Sequence, residues 1–510
     1  MGAGVIARTI DELASWAGGR LIAGGAAPSA APVTAVVTDS RKAGPGALFV
    51  AIKGERADGH AYLAAVARAG AAAALVSDEE AARAAQAELA GASQPDGPAA
   101  PGAAMAIIVV DDTVAALGRI ARGHLADLRQ RAGERGLAVV AMTGSVGKTT
   151  TKDLTRQLLA AQGPTIAPVA SFNNEIGLPL TVLEADESTR YLVLEMGASG
   201  PDDIADLVEI APLDAAAVLM IGHAHMGGFG SIDGVAAAKS HIVRGLLPHG
   251  TAVLNLDDER AAAMRDLAPG RVLTFSASGD ERADLRATGV ELDEAAHAIA
   301  DIHLPGAQPR RVRLGLPGAH NVANALASLG LALAAGIDAD ALLDTIASAG
   351  LESPHRMAVS DLPGSGRLID DSYNANIDSM AASLASLPAL AGDRRRVVVI
   401  SEMLELGETS AADHATTGAL VADAGASLLV TIGAGAAPAA QAARHRGVEV
   451  VEAPDADDAI ARIDSLLAPG DAVLVKGSHG SGAWRVADHL AAVGAAGADP
   501  TDGRDGKDAR

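Results

Sequence analysis

The sequence predicts an α/β protein with three domains and mostly parallel sheets. The chain has 510 residues, and at roughly 150 residues per domain this length suggests about three domains. Short apolar runs alternate with helical segments along most of the chain. Such runs are typical of strands buried on both faces of a parallel sheet, and the helical segments between them would form right-handed crossovers.

The first predicted domain, residues 1–112, is small. It contains an alanine-rich helix at 61–69 and a flexible insertion at 91–104 that is rich in glycine, proline and alanine. Its predicted strands are residues 33–38, 47–52, 73–76 and 107–110.

The second predicted domain, residues 113–350, begins with a helix at 113–131 and continues as a mostly parallel sheet. Its predicted strands are residues 137–142, 191–196, 217–221 and 252–256.

The third predicted domain, residues 351–493, repeats the alternation and has the pattern of a doubly wound, Rossmann-like α/β domain. Its predicted strands are residues 367–371, 396–400, 428–432, 448–451 and 472–475. Residues 494–510 show no periodicity, and we expect a disordered tail there.

Composition excludes several classes of protein. The formal net charge of −23 disfavours nucleic acid as a partner, because phosphate neutralisation requires clustered lysines and arginines. The absence of cysteine excludes disulfides, thiolate metal sites and a cysteine nucleophile. No apolar stretch reaches the ~18 residues of a membrane span, and no secretory signal is recognisable. We therefore expect a cytoplasmic monomer that neither enters a membrane nor binds nucleic acid.

Residues 137–152, LAVVAMTGSVGKTTTK, have the form of a phosphate-binding loop. An apolar strand ends in a glycine-rich turn, and a Lys-Thr pair opens the next helix. Glycines let the backbone approach an anion, and the first N–H groups of the helix point at it. Lys148 can reach the terminal phosphates of a nucleoside triphosphate, and Thr149 can ligate Mg²⁺. The candidate nucleotide-binding residues are Gly144, Ser145, Val146, Gly147, Lys148, Thr149 and Thr150.

The loop departs from the general motif at Met142, where a glycine is usual. The alternative interpretation is a chance strand–turn–helix with a surface lysine. Glu195 closes the predicted strand 191–196, and α/β sheets bind ligands at the carboxyl ends of their strands. Glu195 could therefore share a Mg²⁺ ion with Thr149, since this cation prefers oxygen ligands, or it could face solvent.

Other polar residues leave functional and structural interpretations open. His223 and His225 have no further ligand at metal-site spacing, so zinc is disfavoured, whereas a magnesium contact or a loop-capping role is possible. Lys239 lies in an alanine-rich helix and is by itself a solvated cation. Asn321 and Asn324 share a helix face, where they could read a nucleobase edge or cap the helix.

Polar residues also follow a predicted strand of the third domain. Asp370, Tyr373 and Asn374 cluster at its end, and Lys476 follows another strand at the same edge. Arg356, upstream, could neutralise a phosphate with two parallel hydrogen bonds.

Taken together, these motifs resemble the Mur ligases, the ATP-dependent enzymes that build the peptide of the peptidoglycan precursor. The most specific stretches are NNEIG at 173–177, FGS at 229–231 followed by Lys239, DSYNAN at 371–376 and EMLELG at 402–407. Residues 38–60 are similar to the family's UDP-sugar-binding domain. The resemblance covers all three predicted domains, except for the 91–104 insertion and the tail.

The resemblance implies the cofactors ATP, two Mg²⁺ ions and a CO₂-derived carbamate on Lys239, for which a buried site would favour the reactive neutral amine. The implied catalytic residues are Lys148, His225, Lys239 and Arg356. The implied metal ligands are Thr149, Glu195, His225 and Lys239. Beyond the phosphate loop, the implied nucleotide contacts are Asn321, Asn324, Arg356, Asp370, Tyr373, Asn374 and Lys476. The implied substrate contacts are Ser40, Arg41, Lys53, Asp58, His60, Asn173 and Asn174.

Within the family, the motifs are most similar to the branch that adds D-alanyl-D-alanine to UDP-N-acetylmuramoyl-tripeptide through an acyl phosphate. The alternatives are a sister ligase that adds a single amino acid, such as diaminopimelate or lysine, a folylpolyglutamate synthase, or a non-catalytic nucleotide-binding module. The Asp-Asn-Pro-Arg motif of the diaminopimelate branch is missing from the sequence. The chain departs from the usual family pattern at Ser199, Gly200, Ile377, Ser401 and His479.

Overall fold

The computed structural model describes residues 7–22, 32–91, 105–169, 171–223 and 226–497. Three sheets follow one another along the chain, with five, nine and six strands. Most neighbouring strands are parallel, which confirms the predicted fold class. Within these ranges, no helix combines the length and the apolar character that a membrane span requires.

The first sheet contains the four strands predicted for the N-terminal domain, with slightly different ends, and one short additional strand. The strands are β1 (Arg20–Ile22), β2 (Ala35–Val37), β3 (Ala47–Val50), β4 (Ala73–Val76) and β5 (Ala106–Val109). Their order is β1-β5-β4-β3-β2, with β1 antiparallel to β5. The helices are α1 (Ile10–Ala17), α2 (Leu63–Arg68) and α3 (Glu79–Gly91). Residues 92–104, most of the predicted insertion, lie outside the described residues.

Helix α4 (Thr113–Ala132) joins the first domain to the second. Asp112 caps its N-terminus by accepting the N–H groups of Val114 and Ala115 at 2.7 and 3.0 Å. Gly123 allows Trp16 of α1 to lie directly against the helix, since a Cβ there would lie 2.5 Å from the indole Cγ. The helix is thereby packed tightly against the N-terminal domain.

The central sheet has nine strands, and the phosphate loop follows β6, one of its inner strands. The strands are β6 (Ala138–Thr143), β7 (Thr165–Ile166), β8 (Tyr191–Glu195), β9 (Leu213–Val218), β10 (Leu246–Asn255), β11 (Arg271–Ser276), β12 (Leu285–Leu292), β13 (His297–His303) and β14 (Arg310–Pro317). Their order is β14-β13-β12-β11-β10-β9-β6-β8-β7. The pairs from β7 to β12 in this order are parallel, whereas β13 is antiparallel to both β12 and β14.

Helices cover both faces of this sheet. They are α5 (Lys148–Ala160), α6 (Gly177–Leu183), α7 (Asp203–Ile210), α8 (Met226–Phe229), α9 (Ile232–Arg244), α10 (Glu259–Ala262), α11 (Asn321–Ala334) and α12 (Ala339–Ile346). Two clusters of buried aliphatic residues separate the faces, one containing Val139, Ala141 and Leu192 and the other Val140, Met142 and Val193. Adjacent residues of β6 thus point to opposite cores, as expected for a fully buried strand.

The predicted strand at 217–221 was placed too late in the chain, because β9 ends at Val218. The polar Asp214 interrupts the apolar pattern at the start of β9. Its carboxylate accepts the Val139 N–H at 2.8 Å and pairs with Arg129 at 2.7 Å, so a polar residue inside the strand is fully satisfied. Residues 219–221 instead form irregular backbone beside the phosphate loop, where Met220 O accepts the Ser145 N–H.

The C-terminal sheet has the order β15-β16-β20-β17-β18-β19. Its strands are β15 (Ala358–Leu362), β16 (Gly366–Asp371), β17 (Arg396–Ser401), β18 (Leu428–Ile432), β19 (Glu449–Ala453) and β20 (Ala472–Lys476). Only β15 is antiparallel to its neighbour. The helices are α13 (Ile377–Ala391), α14 (Ser410–Asp423), α15 (Ala437–His445), α16 (Ala456–Leu466) and α17 (Ala483–Gly497).

The predicted disordered tail begins too early, because α17 continues to Gly497. The helix packs against β15 at Gly494, where a Cβ would lie 2.4 Å from the carbonyl oxygen of Asp361. Helix α17 therefore still packs against the sheet at Gly494, beyond the predicted end of the domain. Residues 498–510 lie outside the described residues.

Candidate active site

The phosphate loop leaves β6 at the centre of the sheet and enters α5 at Lys148. Gly147 has φ +84°, and a Cβ at this position would lie 2.3 Å from Oδ1 of Asn324. Ser145 is fixed by its neighbours, since its N–H donates to Met220 O at 2.9 Å and its Oγ accepts the Gly222 N–H at 2.8 Å. The turn is therefore a cradle with backbone N–H groups at the head of a helix, the arrangement that binds phosphate.

Thr149 and Glu195 lie side by side, as the sequence predicts for two elements that end at one sheet edge. The Thr149 hydroxyl donates to Glu195 Oε2 at 3.0 Å, and the Asn173 amide donates to Glu195 Oε1 at 2.7 Å. Glu195 is only 1% exposed. It faces the site and not solvent, which removes the structural alternative for this carboxylate.

Two lysines lie close together below the cradle. Lys148 donates to Gly144 O at 2.8 Å, and burial lowers the pKa of its ammonium group while the Glu195 carboxylate opposes that shift. Lys239, on α9, is 2% exposed. Burial, with a smaller contribution from the positive charge of Lys148, lowers the Lys239 pKa from 10.5 to about 7. Lys239 is therefore not a solvated surface cation.

Arg356 brings the C-terminal domain to the phosphate loop. Its NH2 group donates to the hydroxyls of Thr149 and Ser171 at 3.0 and 3.3 Å. Its guanidinium lies over the ring of Tyr373, 4.2 Å from the centroid, a cation–π distance. Its Nε is buried and has no acceptor among the described residues.

A cleft of about 1000 Å³ lies between the two domains at this point. Most of the predicted site residues line it. They are Ser145, Val146, Gly147, Lys148, Thr149, Thr150, Asn173, Asn174, Glu195, Asn321, Asn324, Arg356, Tyr373, Asn374 and Lys476. The asparagine pair is ordered, since Asn324 donates to Asn321 at 2.8 Å and Asn321 donates to Pro317 O at 2.7 Å.

Three described residues that were predicted for this site, Gly144, Lys239 and Asp370, do not line the cleft. Asp370 accepts from Ser372 and pairs with His355 at 2.7 Å, whereas the next residue, Asp371, lines the cleft and pairs with Lys476 at 2.6 Å. Lys239 is buried outside the lining of the cleft, and the charge of Lys148 acts on it. His225 lies outside the described residues.

The residues implied for substrate binding in the N-terminal domain do not line this cleft either, as far as the structure describes them. Ser40 opens a short turn, and Arg41 there is paired with Asp39 at 2.7 Å. Lys53 forms a β-bridge with Asp58. Ser40 and Arg41 follow β2, and Lys53 and Asp58 follow β3, so this second group lies beyond the carboxyl ends of two neighbouring parallel strands.

His60 in this second group is buried, and both of its ring nitrogens are occupied. Nδ1 lies 2.6 Å from Asp58, and Nε2 accepts the Ser77 N–H at 3.0 Å. These bonds fix one neutral tautomer with the proton on Nδ1. His60 therefore holds Asp58 in place.

Several residues of the site were not indicated by the sequence. Ser171 follows no recognisable pattern, nor does Asp378, whose carboxylate accepts the His223 N–H at 2.6 Å. Asn376 caps α13 and also donates to Ser145 O at 3.3 Å. Asp371 and Asn376 belong to the DSYNAN stretch, so that motif was the available signal.

The residues present fit a magnesium–nucleotide complex. Gly147 leaves the space that a side chain would fill, and the cationic side chains of Lys148, Arg356 and Lys476 line the same cleft. Thr149 and Glu195 are oxygen donors, which suit Mg²⁺. The described residues contain no group of three or more His, Cys, Asp or Glu that could hold a metal ion.

The fold and this loop define an α/β nucleotide-binding protein of the P-loop class, with a second α/β domain closing the site. Three family profiles match the chain, namely the Mur ligase family catalytic domain at residues 32–125, the Mur ligase middle domain at 142–332 and the Mur ligase glutamate ligase domain at 355–479. A Mycobacterium bovis protein named UDP-N-acetylmuramoyl-tripeptide–D-alanyl-D-alanine ligase is 39% identical in an alignment of 488 positions that covers 89% of this chain and 91% of that protein. The chain belongs to the Mur ligase family.

Solved structures agree with this assignment. A crystal structure of MurF from Acinetobacter baumannii has a TM-score of 0.81 and 29% identity, covering 96% of this chain and 99% of that one. MurF ligase from Thermotoga maritima, solved in complex with ADP, has a TM-score of 0.71 and 26% identity, covering 90% and 98%. The likeness therefore extends over all three domains.

Proposed function

We propose that this protein is the ATP-dependent ligase that joins D-alanyl-D-alanine to UDP-N-acetylmuramoyl-tripeptide in the synthesis of the peptidoglycan precursor. One observation carries the proposal. Arg356 of the C-terminal domain lies 3.0 Å from Thr149 of the phosphate loop, so a nucleotide-binding domain and a second α/β domain meet at one reacting centre. The names of the Mycobacterium bovis and Acinetobacter baumannii relatives support this choice of substrates.

The reaction has two substitution steps. In the first, the terminal carboxylate of the tripeptide attacks the γ-phosphorus of ATP, an O–P bond forms, and the bond to the bridging oxygen breaks, which gives an acyl phosphate and ADP. In the second, the dipeptide amine attacks the acyl carbon, the bond to phosphate breaks, and the nitrogen loses a proton as the amide forms. No protein nucleophile is needed, so the protein contributes positioning and charge stabilisation.

The residues of the cleft divide these tasks. The positive charges of Lys148 and Arg356 would stabilise the negative charge on the transferred phosphoryl group. Thr149 and Glu195 would hold Mg²⁺, which offsets the negative charge of the phosphate oxygens when bound. Asn321 and Asn324, locked in one orientation by their hydrogen bonds, would contact the nucleotide. The N-terminal residues Ser40, Arg41, Lys53 and Asp58 would hold the UDP-sugar, with His60 supporting Asp58.

The decisive experiment measures ATP consumption and product mass with UDP-N-acetylmuramoyl-tripeptide and different acceptors. We expect ligation with D-alanyl-D-alanine and none with diaminopimelate, lysine or glutamate alone. Omission of the tripeptide serves as the control and should abolish phosphate release. Ligation of a single amino acid, without reaction of the dipeptide, would overturn the assignment in favour of a sister ligase.

We also propose that Lys239 carries a carbamate that serves as an oxygen ligand for a second Mg²⁺ ion, together with His225. The support is its burial and its lowered pKa of about 7, because only the neutral amine captures CO₂. Formation of the N–C bond releases the amine proton and leaves an anionic carboxylate. Incubation with ¹³C-bicarbonate should give a carbamate resonance in the wild-type protein that is absent from Lys239→Met. A spectrum without this resonance at pH 8 would contradict the carbamate.

A cytoplasmic monomer is the state that we propose for the full chain. The high acidity of the sequence supports solubility. Sedimentation equilibrium should give the mass of one chain, 50.8 kDa, and fractionation should leave the protein with the soluble enzymes. A stable dimer or recovery with membranes would contradict the respective expectation.

A further inference from the structure

The linker between the central and C-terminal domains lies along one side of helix α5. The residues one and two turns after Thr149 share its side of the helix. The Gln157 amide donates to Gly350 O at 2.6 Å and accepts the Gly350 N–H at 3.0 Å. Arg156 forms an ion pair with Glu352 in which both side chains are partly exposed. The linker therefore runs along α5 towards the phosphate loop.

A buried ion pair makes the central contact of this arrangement. Lys152 and Asp153 are 2% and 1% exposed, and Nζ lies 2.7 Å from Oδ1. Asp153 accepts the N–H and the hydroxyl of Ser353 at 2.9 and 3.1 Å. Lys152 donates to Ser353 Oγ at 3.1 Å and to Pro168 O at 2.9 Å. A buried ion pair adds little net stability compared with apolar residues of similar size. Loss of any one of its hydrogen bonds is costly, however, so the pair fixes the positions of the groups that it contacts.

Both segments held by this pair carry residues of the cleft. Three residues after Ser353, Arg356 donates to Thr149 Oγ1 at 3.0 Å and to Ser171 Oγ at 3.3 Å. Ser171 itself follows Pro168 by three residues. A shift of the ion pair would therefore move Arg356 and Ser171 relative to the phosphate loop.

The backbone around Arg356 shows that its position is imposed. His355 and Met357, on either side, have φ of +60° and +53°, a left-handed conformation that is unfavourable for residues with a side chain. The His355 ring pairs with Asp370 at 2.7 Å, and the Met357 N–H donates to Asp371 at 3.2 Å. These two anchors belong to the C-terminal domain, whereas the buried pair belongs to the central one.

We propose that Lys152 and Asp153 are positioning residues that set Arg356 against the phosphate loop. This inference rests on the proposed ligase function, in which Arg356 stabilises the transferred phosphoryl group. Neither residue lines the cleft, so they act through Ser353 and not on the substrates.

The test is a double-mutant cycle with Asp153→Asn and Arg356→Ala, measured with the whole enzyme. Asp153→Asn keeps the shape of the side chain but loses its charge and part of its capacity to accept hydrogen bonds. We expect kcat to fall about 10- to 100-fold, the scale of a small misplacement at a reacting centre, while the Kd for ADP changes less than about threefold. In the Arg356→Ala background, Asp153→Asn should change kcat less than about threefold, because both substitutions remove the same contribution, that of a correctly placed Arg356.

Hydrogen exchange and two further variants separate positioning from general damage. The Ser353 amide should exchange faster in Asp153→Asn, while the amides of β6 keep their protection. If Asp153→Asn does not fold, Ser353→Ala replaces it in the cycle, since it removes the shared hydroxyl. Arg156→Gln is the matched control on the same helix and should stay within about twofold of wild type, because its ion pair is partly exposed.

A full, additive loss from Asp153→Asn in the Arg356→Ala background would overturn the inference, as would an unchanged kcat in the single variant. Failure of the proposed function has a different signature. If the wild-type enzyme prefers another acceptor, the assignment of D-alanyl-D-alanine fails, and the same cycle is measured with that acceptor.

Discussion

The Glu195 carboxylate is buried beside a hydroxyl and an amide. Among the described residues, no cationic side chain forms a hydrogen bond with it. Its two oxygens accept from Thr149 and Asn173 at 3.0 and 2.7 Å. Burying a charge is costly unless it is paired or binds a metal. We infer that Mg²⁺ provides the compensation during turnover.

For Glu195→Gln we expect the Mg²⁺ concentration that gives half-maximal turnover to rise at least about tenfold, because the amide retains the shape but not the charge. The measurement is a Mg²⁺ titration of the ligation rate at fixed ATP. Glu209→Gln, on the exposed side of α7 in the same domain, is the control and should match wild type. An unchanged Mg²⁺ requirement in Glu195→Gln would remove this residue from the metal site.

Lys148 is the second residue for which the structure gives a sharp expectation. Its ammonium group now donates to Gly144 O and can turn to a phosphate by rotation of its side chain. Lys148→Ala should lower kcat at least about 100-fold, the effect of removing one group that stabilises transition-state charge. Arg244→Gln, at the exposed end of α9, is the surface control. Substantial residual ligation by Lys148→Ala would refute its role at the phosphates.

At the scale of elements, the turn between β6 and α5 depends on one glycine. Gly147→Ala would combine a φ of +84° with a Cβ only 2.3 Å from Asn324 Oδ1. We expect ADP affinity to fall at least about tenfold, as measured by calorimetry, because the turn must move away from Asn324. Gly336→Ala is the matched control, since Gly336 has φ +88° but nothing within 4 Å of the added Cβ.

The control should lose about 1 kcal/mol of unfolding free energy and keep its ADP affinity. Equal losses of ADP affinity in both variants would show that strain in the chain, and not the shape of the cradle, governs binding. Wild-type affinity in Gly147→Ala would contradict the close packing of the loop against α11.

The elements of the phosphate site were predictable because local patterns encode them. Strands β6 and β8 are continuous apolar runs, and Gly147, Lys148 and Thr149 form a motif whose chemistry follows from its residue types. Strands β12 to β14 gave no such signal, since one face of these antiparallel strands is exposed and their pairing depends on distant contacts. Ser171 reaches the site through contacts with Thr149 and with Arg356, the latter nearly two hundred residues away in the sequence, and no local pattern reveals these contacts.

Over the whole molecule, helix α4 ties the N-terminal domain to the central one through a buried histidine. His124 is fully buried. Its Nδ1 accepts from Arg8 at 3.1 Å and its Nε2 lies 2.8 Å from the carbonyl oxygen of Ala185, so the ring is neutral with its proton on Nε2. Burial lowers the His124 pKa from 6.5 to about 4, with the Arg8 charge acting in the same direction and the Asp127 charge against it.

This histidine makes the docking of the two domains sensitive to acid. Between pH 6.5 and about pH 4, His124 is protonated in the unfolded chain but neutral in the folded one. The free energy of unfolding therefore rises with pH across this window, and the stabilisation from neutral His124 is complete above it. Because of His124, the free energy of unfolding at pH 5 should be about 2 kcal/mol lower than at neutral pH. Urea unfolding at pH 7.5 and pH 5, followed by the fluorescence of Trp16 in a Trp484→Phe background, measures it.

The control is His124→Gln, whose amide can donate to Ala185 O and accept from Arg8 without titrating in this range. Carboxylates elsewhere titrate alike in both proteins, so the difference between their unfolding free energies isolates His124. As the pH falls from 7.5 to 5, the wild-type protein should lose about 2 kcal/mol more unfolding free energy than His124→Gln does. Parallel pH profiles for the two proteins would show that His124 does not carry the acid sensitivity of the interface between the domains.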